Sequence, residues 1–421
     1  MDQSMTYDAL IIGGRAAGGS LAVLLAQRGH RVLVVDRDRF PSDTMSTHYM
    51  HSPVVPLLER FGLLSILVDE FGFRRLTRSR IYLDDCVFEG PMAPSGHGFA
   101  LAPRRDVLDN LLIDRAMEHG AEFGQRTRAE RLIVEDGCVV GAELRDADGE
   151  RREVRARVVV GADGKFSSVA KWVGAESYEA VPAMRPVYYG HFQGIEPLPE
   201  TAVELFFGGD RIAFLFPMRP GEDCLAVELQ PEDFERFRTD PKGEFDKLID
   251  GLYGMRSRMR NATLDGQLIG SKGIENYFRK PYGPGWALTG DAGYLKDPST
   301  GTGISDALQQ SIWLADALDD CLQGAKWDER MGAFQQLRDS SMMPMYQGTL
   351  NFTRMRDPDP QAIALLKGVL SGPGLSRGWA YTLPSLISQA LPPPLLERVQ
   401  GLASVFTSEP ATVTVRPTPA D

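Results

Sequence analysis

Cysteine is scarce in this sequence of 421 residues, and the few cysteines present are not grouped. The chain has four, and no two of them form a CxxC pair, so neither a zinc knuckle nor a disulfide framework is expected. Such spacing favours reduced thiols in an intracellular protein. The four positions are Cys86, Cys138, Cys224 and Cys321.

Long apolar runs and an excess of basic charge are also missing. No stretch of about 18 consecutive apolar residues occurs, and the opening MDQSMTYDAL has no basic segment followed by an apolar run. Neither a membrane span nor a secretion signal is therefore expected, and the sequence predicts a cytoplasmic protein. Lys and Arg number 46 against 57 acidic residues, a net charge of −11, which disfavours nucleic acid and anionic membranes as partners.

The sequence does contain enough apolar residues for a large core, and a strand, turn, helix and strand near its start. With 43% hydrophobic residues, a chain of this length is expected to form two interleaved domains. Residues 9–12 form an apolar run that ends at Gly13-Gly14, residues 16–28 favour a helix, and residues 32–35 resume a strand. In such a βαβ unit the glycines leave room for a phosphate at the helix N-terminus, and Asp36 suits ribose hydroxyls.

Arg15 departs from the usual form of this pattern. It stands where the middle glycine normally lets the backbone approach a pyrophosphate. If Arg15 keeps an ordinary backbone conformation and points its side chain outward, that approach survives and a cation is gained nearby. The alternative is that the site has decayed and only the fold remains.

Two later segments repeat the theme of a strand that ends in a glycine turn. Residues 157–160 run into Gly161-Ala-Asp-Gly164. Residues 286–289 run into Gly290-Asp291-Ala292, then Asp297-Pro298, then Gly301-Thr302-Gly303-Ile304 at the start of an amphipathic stretch. Each segment alone fits ordinary turn chemistry, because Asp-Gly and Gly-Asp are common loop pairs. Combined with the first unit, they favour nucleotide contact.

In order and spacing, the three segments resemble the FAD-binding signatures of the p-hydroxybenzoate hydroxylase-like flavoprotein superfamily, over roughly residues 5–330. The resemblance implies an α/β fold with a Rossmann-like FAD-binding domain, an inserted sheet-rich substrate domain and a helical C-terminal segment. Some members carry an arginine in the first turn, so Arg15 is expected to modify the site without cancelling it. By resemblance, Asp291 would bind the ribityl hydroxyls, Asp163 would lie near the pyrophosphate, and Arg105 would reach FAD. The residues expected to bind FAD are Gly13, Gly14, Arg15, Ala17, Gly18, Asp36, Arg37, Arg105, Asp163, Gly164, Gly290, Asp291, Pro298, Gly301, Thr302, Gly303 and Ile304.

The same comparison divides the chain into parts. Residues 1–70, 100–178 and 270–335 are assigned to the FAD-binding domain, and residues 71–99 and 179–269 to the substrate domain. Residues 336–406 are expected to form a helical segment that closes the substrate cavity. The Pro-, Thr- and Ser-rich residues 407–421 are expected to be a disordered tail.

Candidate substrate and catalytic residues lie between the motifs. Residues 185–230 alternate like a sheet, and their aromatic side chains could line a pocket for an apolar compound or simply form core. The polar residues 40–51 pass beside the flavin ring in the superfamily, so Thr47 and His48 are predicted to act near the flavin, with His51 second. His191 could be an acid or base, or a structural histidine. No metal site is expected. The predicted pocket residues are Tyr189, Phe206, Phe214 and Phe216.

The predicted reaction is a monooxygenation of a hydrophobic or aromatic small molecule, with O2 and a transiently bound NAD(P)H. The absence of a second Gly-rich fingerprint fits transient NAD(P)H binding. Reduction or desaturation of the geranylgeranyl-reductase type is the alternative, although Ser46 and Thr47 occupy the neighbourhood of that family's loop cysteine. Halogenation is disfavoured because residues 213–217, AFLFP, lack the tryptophans of the halogenase WxWxIP motif and residues 40–60 contain no lysine. A non-catalytic flavin-binding protein is the remaining alternative.

Overall fold

The computed structural model describes residues 6–46, 48–83, 86–92, 97–208, 211–353 and 416–417. Thr47 lies outside the described residues, as do residues 354–406 of the predicted helical segment and most of the predicted tail. Within the described ranges, no helix is both long enough and apolar enough to cross a membrane.

Four of the helices in the described ranges have 12 or more residues and five have ten or fewer. Single 3-10 turns at Ser52–Val54, Pro231–Asp233, Gly290–Ala292 and Pro298–Thr300, and a π-helical turn at Ile66–Glu70, connect them. The helices are α1 (Ala16–Gln27), α2 (Val55–Arg60), α3 (Arg105–Glu118), α4 (Ser168–Trp172), α5 (Phe234–Thr239), α6 (Pro241–Asp250), α7 (Met255–Arg258), α8 (Gly303–Leu322) and α9 (Trp327–Thr353).

The strands build three sheets. They are β1 (Tyr7–Ile12), β2 (Val32–Val35), β3 (Arg78–Leu83), β4 (Cys86–Pro91), β5 (Glu122–Gly124), β6 (Arg128–Glu135), β7 (Cys138–Arg145), β8 (Arg151–Gly161), β9 (Ser177–Val181), β10 (Val187–Gln193), β11 (Ala202–Gly208), β12 (Arg211–Arg219), β13 (Glu222–Glu228), β14 (Thr263–Ser271), β15 (Asn276–Arg279), β16 (Tyr282–Gly283), β17 (Trp286–Leu288), β18 (Tyr294–Leu295) and β19 (Arg416–Pro417).

The first sheet has the order β16-β17-β8-β1-β2-β5, and the β6-β7 hairpin extends it through β8. β1 pairs in parallel with both β2 and β8, and β8 pairs in parallel with β17. Because both faces of such a sheet are covered, its strands are continuous apolar runs, and β2 is buried along its whole length. The three glycine turns of the sequence follow β1, β8 and β17, so they meet at one edge of this sheet.

The second sheet has the order β14-β10-β13-β12-β11-β3-β4-β19. Its side chains alternate between two cores. Tyr189, Phe214 and Phe216 belong to the core shared with the first sheet, whereas Tyr188 and Leu215 face the separate core beneath α5 to α7. The mixed α/β architecture with an inserted sheet-rich unit is thus confirmed.

The long C-terminal helix of the described chain, α9, is tied to the third glycine turn by a buried arginine. Arg338 has no exposed side-chain surface, and its guanidinium donates to the carbonyls of Gly293 at 3.3 Å and Arg279 at 3.0 Å. Arg279 is the last residue of β15, the middle strand of the small third sheet β18-β15-β9. The predicted domain boundaries remain an interpretation. Within the predicted tail, Arg416–Pro417 pairs with β4.

Candidate active site

The first glycine turn is packed too closely for side chains. Gly13 has φ +106°, and a Cβ there would lie 2.3 Å from the Ala162 carbonyl oxygen. A Cβ on Gly18 would lie 1.8 Å from the carbonyl oxygen of Gly13. The 12-residue helix α1 begins directly after this turn, and no side chain caps its N-terminus. Its free backbone N–H groups and dipole therefore suit an anionic group such as a pyrophosphate.

Arg15 leaves the turn open. Its backbone is extended, with φ −79° and ψ −164°, so the position needs no glycine. Its guanidinium extends to the loop after β2, where it lies 2.9 Å from the Asp38 carboxylate, and to Asp109 of α3 at 3.3 Å. The backbone of Arg15 is thus ordinary, and its side chain is directed away from the turn toward the loop and α3.

Asp36, at the end of β2, supports the turn from the side. Its carboxylate accepts hydrogen bonds from the backbone N–H of Gly14 at 2.8 Å and of Asp38 at 2.9 Å. Burial raises the pKa of Asp36, and these two hydrogen bonds oppose the rise. The neighbouring Arg37 is exposed. Asp36 therefore fixes the glycine turn as well as standing where a ribose would be recognised.

The second motif packs its backbone against the first. The Ala162–Asp163 peptide lies directly beside Gly13. The Asp163 carboxylate accepts hydrogen bonds from the Ser167 hydroxyl and from the backbone N–H of Ser168, both at 2.6 Å. Asp163 thus stabilises its own turn at the start of α4, and Gly164 supplies the positive φ of +76° that this turn requires.

The third motif lies against the start of α1. A Cβ on Gly290 would be 2.7 Å from the Ala17 Cβ, and the Ser311 hydroxyl of α8 donates to the Ala17 carbonyl at 2.8 Å. The Asp291 carboxylate reaches solvent through the cleft although protein surrounds it densely. This surrounding raises the pKa of Asp291, and the positive charges of Arg105 and Lys296 oppose the rise. Asp291 therefore lies within electrostatic reach of Arg105 and Lys296.

The segment after Asp291 brings a second uncapped helix N-terminus to the same cleft. Pro298 opens a 3-10 turn that ends at Gly301, which has φ +63°. Thr302 then precedes α8, whose first residues are Gly303 and Ile304, and no side chain caps this N-terminus. A Cβ on Gly301 would lie 3.1 Å from the Tyr49 ring and 3.4 Å from His51 Nε2. The loop after β2 therefore passes directly over the Gly301 turn.

One fully buried carboxylate links two arginines of this region. Asp109 lies one turn along α3 from Arg105, which pairs with it at 3.0 Å, and Arg15 approaches the same carboxylate oxygen at 3.3 Å. The side chain of Asp109 is only 1% exposed, so its charge is balanced by these two guanidinium groups. The sequence analysis missed Asp109, although its position four residues after Arg105 on a helix was a usable signal.

The predicted acid–base candidates His48 and His191 come together. Their Nε2 atoms lie 2.8 Å apart, although the residues are 143 positions apart in the sequence. His48 is fully buried, has φ +64°, and its Nδ1 has no hydrogen-bond partner among the described residues. One imidazole must donate and the other accept, so both rings can be neutral and the pair can still pass a proton.

Burial, more than the surrounding charges, favours the neutral form of both histidines. Burial lowers the pKa of His48 well below its usual value, and His191, Arg105 and Arg104 act in the same direction. Burial and then Arg104 lower the pKa of His191, whereas Asp43 opposes this. Asp43, His48 and His191 each offer an atom within 4.8 Å of the others, a set that can ligate a metal. However, the Asp43 carboxylate already pairs with Arg104 at 2.9 Å.

Three of the four predicted pocket aromatics lie on one face of the second sheet, close to the histidine pair. The Phe216 ring stacks on Phe214 at 5.8 Å and on Tyr49 at 4.7 Å between centroids. The Tyr189 ring meets the His191 ring edge-on at 5.7 Å. The structure separates Phe206 from this group, because it stacks on Tyr82 at 4.3 Å in the opposite core.

His51 provides a prediction about stability and pH. Burial lowers its pKa to about 4, opposed by the Thr300 carbonyl that its Nε2 contacts at 2.8 Å. Between pH of about 6.5 and 4 the unfolded chain binds a proton that the folded chain does not, so stability falls as the pH falls. We expect the free energy of unfolding of His51→Gln to fall by about 1–3 kcal/mol less than that of the wild type over this pH range. Urea unfolding of both proteins at pH 6.5, 5.5 and 4.5 checks it, and parallel curves would contradict the assignment.

The family of proteins described as "FAD binding domain" matches residues 6–349 of this chain. The chain is also similar to a 1H-pyrrole-2-carbonyl-(peptidyl-carrier protein) brominase from Pseudoalteromonas luteoviolacea, at 25% identity over 80% of this chain and 82% of the relative. A digeranylgeranylglycerophospholipid reductase from Methanosarcina acetivorans is 27% identical over 72% of each chain. The solved structure of a probable FAD-dependent monooxygenase from Pseudomonas aeruginosa aligns with a TM-score of 0.68 at 23% identity, covering 83% of this chain and 96% of that chain.

The residues at the cleft fit FAD. Glycines that admit no Cβ surround an uncapped helix N-terminus, which suits the pyrophosphate, and Asp36 stands beside it for the ribose. Asp291 and the uncapped N-terminus of α8 belong to the third glycine motif, which packs against Ala17 of α1, and Asp291 could hold the ribityl chain. Tyr49 and His51 would then lie beside the ring. The sequence analysis did not single out Tyr49, Arg104 or Asp43, because their importance comes only from contacts made in the folded chain.

Proposed function

We propose that this chain, which belongs to the FAD-binding domain family, is a monooxygenase that inserts one oxygen atom into a hydrophobic or aromatic small molecule. Its family and the relatives at hand make it an FAD-dependent oxidoreductase. FAD, when bound, carries electrons from a reductant to oxygen or substrate, and the protein selects both partners. The overall reaction is balanced when substrate, O2, NAD(P)H and one proton give hydroxylated substrate, NAD(P)+ and water.

The observation that carries this proposal is the buried Nδ1 of His48 beside an aromatic wall. This nitrogen lacks a partner among the described residues, and the Tyr189 ring lies 6.2 Å from the His48 ring between centroids. Tyr49, the next residue along the chain, stacks on Phe216 at 4.7 Å. A buried nitrogen without a partner is costly, so a polar group of the substrate is its natural partner. The apolar surroundings would exclude water, which a reaction with activated oxygen requires.

The protein's residues would divide the work as follows. Tyr49, Phe214 and Phe216 would hold the apolar part of the substrate, and His48 would orient its polar group and exchange a proton there. His191 would accept or return that proton through the 2.8 Å contact. NAD(P)H would bind only briefly, and we place the reaction in the cytoplasm, where free thiols such as Cys138, Cys224 and Cys321 persist.

Oxygen-isotope labelling of the product tests the proposed function. The FAD-loaded protein is incubated with NADPH, bromide and a panel of phenols, hydroxyquinolines and polycyclic aromatics under ¹⁸O₂, and the products are analysed by mass spectrometry. We expect a product with one ¹⁸O atom, formed in step with NADPH consumption. A product labelled from water, or NADPH consumption that yields only hydrogen peroxide with every compound, would count against monooxygenation.

The second candidate is reduction of an isoprenoid double bond, which the similarity to the digeranylgeranylglycerophospholipid reductase favours. Such a reaction adds two hydrogens, needs no oxygen and leaves no ¹⁸O in the product.

The similarity to the brominase favours halogenation instead, which would add bromine in the same assay. The absence of a lysine from residues 40–60 and of both tryptophans from residues 213–217 speaks against halogenation.

A further inference from the structure

We propose that Arg15 is a positioning residue that fixes the loop after β2 and so the histidine pair, and that it does not bind the cofactor phosphates. The loop is defined here as residues 38–46, between the end of β2 and His48. The inference rests on the proposed function only where it assigns a role in turnover to His48. Its structural part, the anchoring of the loop, is independent of the reaction.

The hydrogen bonds of Arg15 are directed at the loop. Its Nη1 donates to the Ser42 carbonyl at 3.0 Å. Its Nη2 donates to the Ser42 hydroxyl at 3.1 Å, the Asp43 carbonyl at 3.2 Å and the Asp38 carboxylate at 2.9 Å. The guanidinium also lies 5.7 Å from the centre of the Phe40 ring. A planar group with five N–H donors can hold several loop atoms at once, which a single ammonium cannot.

The middle of the loop, residues 41–44, has little other support, whereas hydrogen bonds hold its ends. The Arg126 N–H donates to the Asp38 carbonyl at 3.0 Å, the Phe40 N–H to the Gln125 side chain at 3.1 Å and the Ser46 N–H to the Tyr189 hydroxyl at 3.2 Å. Among the described residues, no backbone–backbone hydrogen bond holds residues 41–44. Side chains take that place, since Arg104 pairs with Asp43 at 2.9 Å and the Tyr189 hydroxyl contacts the Thr44 carbonyl at 3.5 Å. A segment held by so few bonds is expected to open locally when one anchor is lost.

The charge of Arg15 is already balanced by protein carboxylates. Asp38 and Asp109 lie at 2.9 and 3.3 Å, and Asp36 adds to the negative field around the guanidinium. Little positive charge is left for a pyrophosphate at the turn. Removing Arg15 also leaves the buried carboxylate of Asp109 with an ion-pair partner, because Arg105 still pairs with it at 3.0 Å.

The loop transmits its position to the histidines through Asp43. Arg15 holds the Asp43 carbonyl and Arg104 holds its carboxylate, and this carboxylate lies with His48 and His191 inside one 4.8 Å cluster. Displacing Asp43 would change both the geometry and the field at the pair. Displacements of about 1 Å at such groups can cost roughly a hundredfold in rate.

Hydrogen exchange and FAD titration of Arg15→Gly test the inference. Glycine restores the residue that the fingerprint usually has, and the extended backbone at this position accepts it. Arg15→Lys is the conservative variant and guards against a glycine variant that fails to fold. Arg28→Met is the matched control, because Arg28 lies at the other end of α1 and pairs with Asp319 at 4.0 Å, away from the loop.

We expect amide exchange in residues 38–46 to rise about tenfold in Arg15→Gly and less in Arg15→Lys, while the FAD dissociation constant stays within about threefold of wild type. With a turned-over substrate, kcat should fall roughly tenfold with little change in KM, and Arg15→Lys should restore part of it. A dissociation constant raised about tenfold with unchanged exchange would make Arg15 a cofactor ligand and overturn the inference. Unchanged exchange and unchanged affinity would overturn it too. Exchange and titration need no substrate, so failure of the monooxygenase proposal would leave this test intact.

Discussion

Replacing Asp291 by alanine is expected to raise the FAD dissociation constant by roughly thirtyfold, which corresponds to about 2 kcal/mol for lost charge-assisted hydrogen bonds. The carboxylate belongs to the turn Gly290–Ala292 that follows β17, and the positive charge of Arg105 acts on it, which suits a group that holds the ribityl chain. Alanine keeps the Asp291 backbone carbonyl, to which the Tyr277 hydroxyl donates at 2.8 Å, so this contact within the fold is preserved in the variant.

Fluorescence titration of the apoprotein with FAD measures this effect. Asp316→Ala is the matched control, because Asp316 is a carboxylate on α8 that pairs with Arg28 far from the cleft. We expect the control to bind FAD like the wild type. If Asp291→Ala also binds FAD normally, the third glycine motif does not hold the ribityl chain and its placement in the site is wrong.

His48→Ala is expected to leave FAD bound and to slow turnover about a hundredfold, a usual contribution of a positioned acid or base. The ring of His48 bonds to His191 and meets the Tyr189 ring edge-on, so its loss should leave the cofactor residues in place. The rate should fall mainly in kcat, because alanine leaves the aromatic wall in place and the substrate still binds.

Steady-state kinetics with the substrate identified by isotope labelling provide the measurement. His119→Ala is the control. His119 is an exposed histidine directly after α3, and its ring bonds to the Gln27 side chain. His48→Gln keeps a polar group near the same place and should recover part of the rate. Unchanged kinetics in His48→Ala would make the histidine pair a purely structural feature of the loop.

The glycine motifs could be predicted because their information is local. A buried parallel strand, a turn without room for Cβ atoms and a helix follow one another in residues 7–27, and the structure has them there. The same is true of the sheet predicted for residues 185–230, because β10, β11, β12 and β13 all lie within that range. The three turns meet at one edge of the sheet because the strands that precede them run parallel.

The site's finer structure depended on contacts that no local pattern encodes. The His48–His191 pair joins residues 143 positions apart. Phe206 was grouped with Phe214, but β11 and β12 pair Phe206 with Ala213, and directly opposed residues share a face. Counting alternation across the hairpin would have placed Phe206 on the far side. The hydrogen bonds that the Asp163 carboxylate accepts from its own turn could not be read from the sequence either.

The visible spectrum of the purified protein tests the central claim most directly, namely that three glycine motifs with an arginine in the first still build a working FAD site. The protein is supplied with FAD, freed of excess cofactor, reduced with NADPH without oxygen and then exposed to air. We expect the visible absorbance of bound flavin, which is lost on reduction and returns in air. A protein that retains no flavin after this treatment would contradict the claim and would mean that the chain keeps the fold without a working FAD site.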